Sequence, residues 1–128
     1  MERVTGVGGI FVAARDPERL ARWYSLQLGV DPAPDSYEVS SWWQDAGPTV
    51  FAPIAHDGEH VAGPAHSWSL NFRVADLDAM VEQLRRNGVA VEVDPEVYPN
   101  GRFASLQDPE GNPLQLWQPE GADRRGPV

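Results

Sequence analysis

The segment Asp108-Pro109-Glu110-Gly111-Asn112 constrains this chain more than any other. Proline presets φ for a turn, Gly and Asn tolerate positive φ, and the Asp side chain can bond to the backbone that follows it. The runs on either side, residues 101–107 and 113–117, can both form strands. A β-hairpin is predicted here, supplying the last two strands of a sheet.

Upstream, strand and helix signals alternate. Residues 4–14 read as a first strand, with Ile10, Val12 and Ala14 on one side and Gly9, Phe11 and Ala13 on the other. Asp16-Pro17-Glu18 then opens a helix, because Asp caps well, Pro is tolerated at the first helical position and Glu favours the positive end of the dipole. Leu20, Trp23, Tyr24 and Leu28 follow at helical spacing, and Gly29 stops the helix. Residues 37–45 and 49–54 are expected as short strands. Residues 55–66, with Gly58, Gly63 and Pro64, read as a linker.

The order then restarts. Trp68, Leu70, Phe72 and Val74 alternate with Ser67, Ser69, Asn71 and Arg73 in a strand with one apolar face. Asp76 caps a second helix whose buried stripe is Leu77, Met80, Val81 and Leu84, and Gly88 ends it. Residues 89–93 form a strand that Pro95 ends or confines to an edge. The chain therefore contains two β-α-β-β-β units, residues 4–54 and 67–118, the third strand after the first helix being inferred. Such a unit has an uncovered sheet face and gains by pairing with a second copy, leaving a concave surface suited to small molecules. The expected fold is α+β: two β-α-β-β-β modules pairing into a cup-shaped, mostly antiparallel sheet. Residues 1–118 would make one domain and 119–128 a flexible tail.

Composition narrows the function classes. With 128 residues, 41% hydrophobic and 23% charged, the chain suits one globular domain. It has no cysteine, which excludes disulfides and thiolate metal sites and fits a reducing compartment. A net charge of −9 argues against nucleic acid as a partner and would attract a cationic ligand. No apolar run approaches a membrane span, so no membrane association and a cytoplasmic location are expected. The run Thr5-Gly6-Val7-Gly8-Gly9 leads into a strand, where a phosphate loop would open a helix, and no nucleophile elbow is present.

The residues also carry a family likeness. Val7-Gly8-Gly9-Ile10-Phe11-Val12-Ala13-Ala14-Arg15-Asp16, Trp23-Tyr24 and Leu28-Gly29-Val30 resemble the opening of the vicinal oxygen chelate superfamily, the glyoxalase, bleomycin-resistance and extradiol-dioxygenase group. Asn71-Phe72-Arg73-Val74-Ala75-Asp76-Leu77-Asp78 and Asp108-Pro109-Glu110-Gly111-Asn112 resemble its second-half markers, so the likeness runs over residues 4–118. The resemblance implies a divalent metal held by His and Glu, one from each of four strands. Matched by motif, those positions are Gly9, Ser69, Gln115 and a residue near Phe51. A catalytic divalent ion normally has about three His or carboxylate ligands, and these positions supply none. No metal and no cofactor are therefore expected. His56 and His60, four apart with Glu59 between them, and His66 are the only imidazoles, and Asp57-Gly58 places the first pair in a solvated loop.

Strand parity gives the candidate lining. Gly9 and Phe11 should face the cup from the first strand, Ser69, Asn71 and Arg73 from the restart strand, and Gln115 and Trp117 from the last. Phe51, one of Trp42 or Trp43, and Arg102 complete the set. Aromatic groups among hydrogen-bonding ones suit stacking on a planar or cationic organic ligand, although the same aromatics could fill a core or a dimer interface, and Arg73 and Arg102 could be surface ion-pair partners. A metal-free small-molecule binder is the first expectation, similar to the drug-sequestering proteins of the superfamily. The alternatives are a lyase, isomerase or dioxygenase with displaced ligands drawn from Glu38, Asp45, His56 or Asp94, or metal-independent acid–base chemistry at Tyr98, Asp94 or Asp45. A structural partner with a closed cup also remains. No catalytic residue is assigned. The resemblance further implies a homodimer.

Overall fold

The computed structural model describes residues 1–55 and 68–126. Among these residues three helices, α1 (Pro17–Leu28), α2 (Leu77–Arg86) and α3 (Ala122–Arg125), accompany four strands: β1 (Leu70–Arg73), β2 (Glu92–Val93), β3 (Gly101–Gln107) and β4 (Pro113–Pro119). The strands form one sheet in the order β1-β4-β3-β2, with β1 parallel to β4 and the other pairs antiparallel. This is a mixed α+β fold with a mostly antiparallel sheet. Residues 70–119 trace the second β-α-β-β-β unit in the order that the sequence predicts.

Local chemistry sets the helix ends. The Asp16 carboxylate accepts from Arg19 N at 3.1 Å, Pro17 takes the first helical position, and Gly29 closes α1 in the left-handed conformation at φ 72°. Asp76 caps α2 in the same way through Ala79 N at 3.0 Å. The Gln118 side chain reaches from β4 to accept from Leu77 N at 2.8 Å, satisfying an amide that no turn of α2 can reach.

Both helices cover the same face of the sheet. Leu77, Val81 and Leu84 of α2 bury against Ala104, Leu106, Leu114 and Leu116, and Trp23, Tyr24 and Leu28 of α1 pack onto the same core with Leu70 and Phe72. Parity explains the selection, because even-numbered residues of β1, β3 and β4 share this side.

The hairpin turn is the point at which α1 is fastened. Asp108, only 5% exposed, accepts from Glu110 N, Asn112 N and Asn112 Nδ2, and also from Tyr24 Oη at 2.7 Å. The Glu110 carboxylate in turn accepts from Arg15 N at 2.6 Å, one residue before the cap of α1. Burial, then the hydrogen bond to Asp108 and its charge, push the Tyr24 phenol well above its ordinary pKa.

Three expectations differ from what is observed. The strands expected at 4–14, 37–45 and 49–54 do not form, and none of the described residues before Leu70 belongs to the sheet. A strand is defined by its neighbour, and alternation alone supplies none. Val4, Val7, Ile10 and Phe11 are exposed, so residues 4–14 lack the buried face that would hold them as a strand. The strand expected at 89–93 is confined to β2, although Asp94 N still donates to Phe103 O at 3.0 Å. At the C-terminus, Pro119 belongs to β4, and residues 122–125 form a helical turn with Arg124 paired to Glu120 at 3.0 Å, where a mobile tail is expected. Glu120 N also donates to Asn100 O, which fixes the start of that segment. The linker expectation at 55–66 lies, apart from its first residue, outside the described residues.

Candidate functional site

The face of the sheet away from α1 and α2 carries the odd-numbered residues of β1, β3 and β4 and the even-numbered residues of β2. Register aligns them into two rungs, one crossing all four strands and one crossing β1, β4 and β3 and ending on Asp94 just beyond β2. Asn71, Gln115, Ser105 and Glu92 are successive cross-strand partners and make a polar rung. One step along, Arg73, Trp117, Phe103 and Asp94 make a second rung, aromatic in the middle and charged at both ends. Consecutive rungs on one face are about 7 Å apart and neighbouring strands about 4.8 Å, so both rungs lie within reach of one small molecule.

Each rung is internally bonded. Asn71 Nδ2 donates to Gln115 Oε1 at 2.8 Å, while Asn71, Ser105 and Glu92 are exposed. On the second rung the Phe103 and Trp117 rings are parallel, at 3° and 6.3 Å between centroids, and Tyr98 meets Phe103 edge-on at 5.7 Å. Tyr98 Oη donates to Asp94 Oδ2 at 2.9 Å. That bond comes first among the causes that push the Tyr98 phenol up to about 12, so the phenol keeps its proton near neutrality.

Arg73 connects this face to the first half of the chain. Its Nη2 donates to Asp45 O at 3.1 Å, and Gly47 lies so close to the guanidinium that a Cβ there would collide with Nη1. Trp117, next to Arg73 in the rung, is 4% exposed, and its Nε1 donates to Asn100 O at 2.9 Å. Gly101 permits that approach, since a side chain there would strike Gln118 O and the indole nitrogen. The polar rung is thus the open part of the face, and the aromatic rung is closed at its Trp117 end.

Of the residues expected to line a site, the structure brings Asn71, Arg73, Gln115 and Trp117 together, and Ser69 continues their alternation just before β1. Phe11, Trp43 and Phe51 are 95%, 83% and 90% exposed, and Trp42 is half-buried. Gly9 sits against the Phe11 ring rather than on the sheet. Arg102 projects on the helix-covered side, where it pairs with Asp78 at 3.0 Å and holds that carboxyl below its usual range. Arg102→Ala is expected to change stability little, because the pair is screened by solvent, and to leave ligand affinity unchanged. Denaturant unfolding and ligand titration of the variant check both.

Phe103, Ser105 and Glu92 are absent from the expected set. The five-residue turn could have placed the first two, because pairing Gln107 with Pro113 sets Phe103 opposite Trp117 and Ser105 opposite Gln115. The Asp94–Tyr98 pair has no signature at its spacing. A family-type metal does not fit the residues at the implied positions: Gly9, Phe51, Ser69 and Gln115 bring no imidazole or carboxylate. Among the described residues no three His, Asp or Glu side chains converge as ligands, and His56, His60 and His66 lie outside them. Among the described residues no helix is long and apolar enough to cross a membrane.

Together with the match to a family model, the α+β, mostly antiparallel sheet places the chain in the vicinal oxygen chelate superfamily. More narrowly, the sequence profile of the glyoxalase-like domain family matches residues 9–117, and the chain belongs to that family. Among solved structures it is similar to TnmS3, an antibiotic binding protein from Streptomyces sp. CB03234, with 24% identity, 94% of this chain and 100% of that chain covered, and a TM-score of 0.63. A protein assigned to the glyoxalase family from Bacillus anthracis matches with 20% identity, 92% and 100% coverage, and a TM-score of 0.55. A glyoxalase/bleomycin resistance protein from Streptomyces sp. CB03234 is 42% identical, but over 39% of this chain and 43% of that one, with a TM-score of 0.36. No curated protein matches the chain.

Proposed function

We propose that this chain is a metal-independent, cytoplasmic small-molecule-binding protein that holds a planar or cationic organic ligand on the open face of its sheet. The observation that carries this is the pair of aligned rungs, in which Phe103 and Tyr98 offer aromatic contact and Asn71, Gln115, Ser105 and Glu92 offer hydrogen bonds beside it. An apolar surface with a few convergent polar groups is how small-molecule sites are built. TnmS3 is described as antibiotic binding, and its likeness supports the fold alone; the ligand class rests on this chain's own face. Calorimetric titration with a panel of planar heteroaromatic compounds in the presence of EDTA is expected to find binding in the micromolar range. Failure of every compound, or binding that EDTA abolishes and a divalent ion restores, would overturn the reading.

The same reading includes a homodimer. Val4, Val7, Ile10, Val50 and Phe51 expose apolar side chains in the first half of the chain. A second copy would cover them, and no nucleic-acid partner is required. Light scattering that finds only monomer would remove this part.

A second reading, metal-independent acid–base chemistry, is favoured by one observation. Asp94 and Tyr98, which sequence spacing leaves unpaired, are hydrogen-bonded at the end of the aromatic rung. Asp94, oriented by the hydrogen bond that it accepts from Tyr98, would take a proton from a bound C–H acid and return it to the same carbon. Exchange of such a proton with D2O that Asp94→Asn abolishes would establish it; unchanged exchange would exclude it.

A further inference from the structure

The open face is electrically polarised from one edge to the other. Arg73 stands on β1 at one edge of the sheet, and Glu92 and Asp94 stand on or beside β2 at the opposite edge, with β4 and β3 between. Three interstrand spacings separate the edges, about 14 Å. Among the described residues no carboxylate lies within ion-pair distance of Arg73, whose guanidinium gives one N–H to the Asp45 carbonyl and has others left to donate. Glu92 is exposed and likewise has no cationic partner among them. The groups between the two poles are uncharged: Asn71, Gln115, Ser105 and Phe103.

A field of this form discriminates by orientation. A ligand with one charge is attracted at one end of the face and repelled at the other. A ligand with an acidic group at one end and a basic group at the other is attracted at both, and is held in a single direction across the strands. We propose that the ligand of this face is amphoteric: a fused-ring planar molecule with a carboxylate or phenolate directed to Arg73 and a protonated amine directed to Glu92, with Asp94 adjacent. This rests on the binding reading above and narrows it. The uncharged middle of the face accommodates the ring system, Phe103 touching it and the Asn71–Gln115 amides and the Ser105 hydroxyl meeting its polar substituents. The chain's overall negative charge would favour any cation, whereas the polarity of this face asks in addition for an anion at one defined end.

Three probes sharing a tricyclic core separate these cases: 2-(aminomethyl)anthracene as the cation, anthracene-2-carboxylate as the anion, and 6-(aminomethyl)anthracene-2-carboxylate, whose charged groups sit at opposite ends of the long axis, as the amphoteric compound. Affinities would be measured by fluorescence titration at fixed salt on the full chain. The amphoteric probe is expected to bind at least about tenfold more tightly than either of the others, the scale of one added charge-assisted hydrogen bond. Arg73→Gln is expected to weaken the amphoteric and anionic probes about tenfold and to spare or strengthen the cationic one. Glu92→Gln should do the reverse. Because Arg73 also holds the 45–47 segment, Arg73→Lys serves as the second variant, and retained preference for the carboxylate there excludes a purely structural effect. Equal losses for all three probes, or no change in either variant, would overturn the proposal while leaving the binder reading intact. If none of the probes binds the wild-type chain, both fall.

Discussion

Alanine at position 108 is expected to cost about 3 kcal/mol and to lower the thermal midpoint by about 10 °C. The Asp108 carboxylate is the buried hub of the hairpin, serving two turn amides, the Asn112 side chain and the Tyr24 phenol. Removing it leaves a part-buried hydroxyl and constrained N–H groups without an acceptor, and each such orphan costs more than an average hydrogen bond contributes. The losses are not additive, since the turn can relax towards water. Tyr24→Phe removes only one donor, and Asp108 keeps three others, so about 1 kcal/mol is expected there. The two variants also differ in their pH behaviour. The folded pKa of Tyr24 lies above its unfolded value, so its contribution is complete below about pH 10 and is lost as pH rises towards the folded pKa. The stability gap between wild type and Tyr24→Phe should therefore stay level up to about pH 10 and close above it. Chemical unfolding at neutral pH and at pH 10 to 11 checks both statements. A loss below 1 kcal/mol for Asp108→Ala would mean that the turn does not fasten α1.

What made Asp108 legible as a turn residue is that Glu110 and Asn112 are close to it in sequence, whereas its bond to Tyr24 spans 84 residues. Turn chemistry, the Asp16 and Asp76 caps and the left-handed Gly29 stop are decided within a few residues, and the sequence pattern identifies all of them. The polar rung is different in kind. Asn71, Gln115, Ser105 and Glu92 become neighbours through three separate strand pairings, and parity within one strand cannot place the last of them. Arg102 stands in the expected set, yet the hairpin register gives it to the helix side and gives Phe103 to the open face. The first half shows the same limit from the other direction. Residues 4–14 alternate well enough to be a strand, but alternation describes a face and supplies no partner for the backbone. Tyr98 and Asp94 meet because the chain turns back at residues 98–101 through a two-way bond between Tyr98 and Gly101, a closure that depends on β3 already being in place.

Trp117→Ala is expected to be at least as damaging as the loss of Asp108, about 3 to 5 kcal/mol. Trp117 occupies the face that its strand parity assigns to ligand, but it is 4% exposed, and its indole N–H is committed to Asn100 O. The ring lies beside Phe103 on one strand and Arg73 on the other, so its removal opens a cavity under both. It also removes one of the two donors to the Asn100 carbonyl, leaving only Glu120 N, which loosens the segment that positions Tyr98 against Asp94. Trp117→Phe separates the two contributions: it keeps much of the apolar volume, loses the hydrogen bond, and should cost about 1 to 2 kcal/mol. Ligand affinity should fall with Trp117→Ala even when the measurement is made well below its unfolding midpoint, because Phe103 loses the ring that braces it. An unfolding free energy within 1 kcal/mol of wild type for Trp117→Ala would contradict the buried placement and return Trp117 to the surface as a direct ligand contact. Affinity that is preserved in a destabilised Trp117→Ala would instead confine the binding surface to the polar rung.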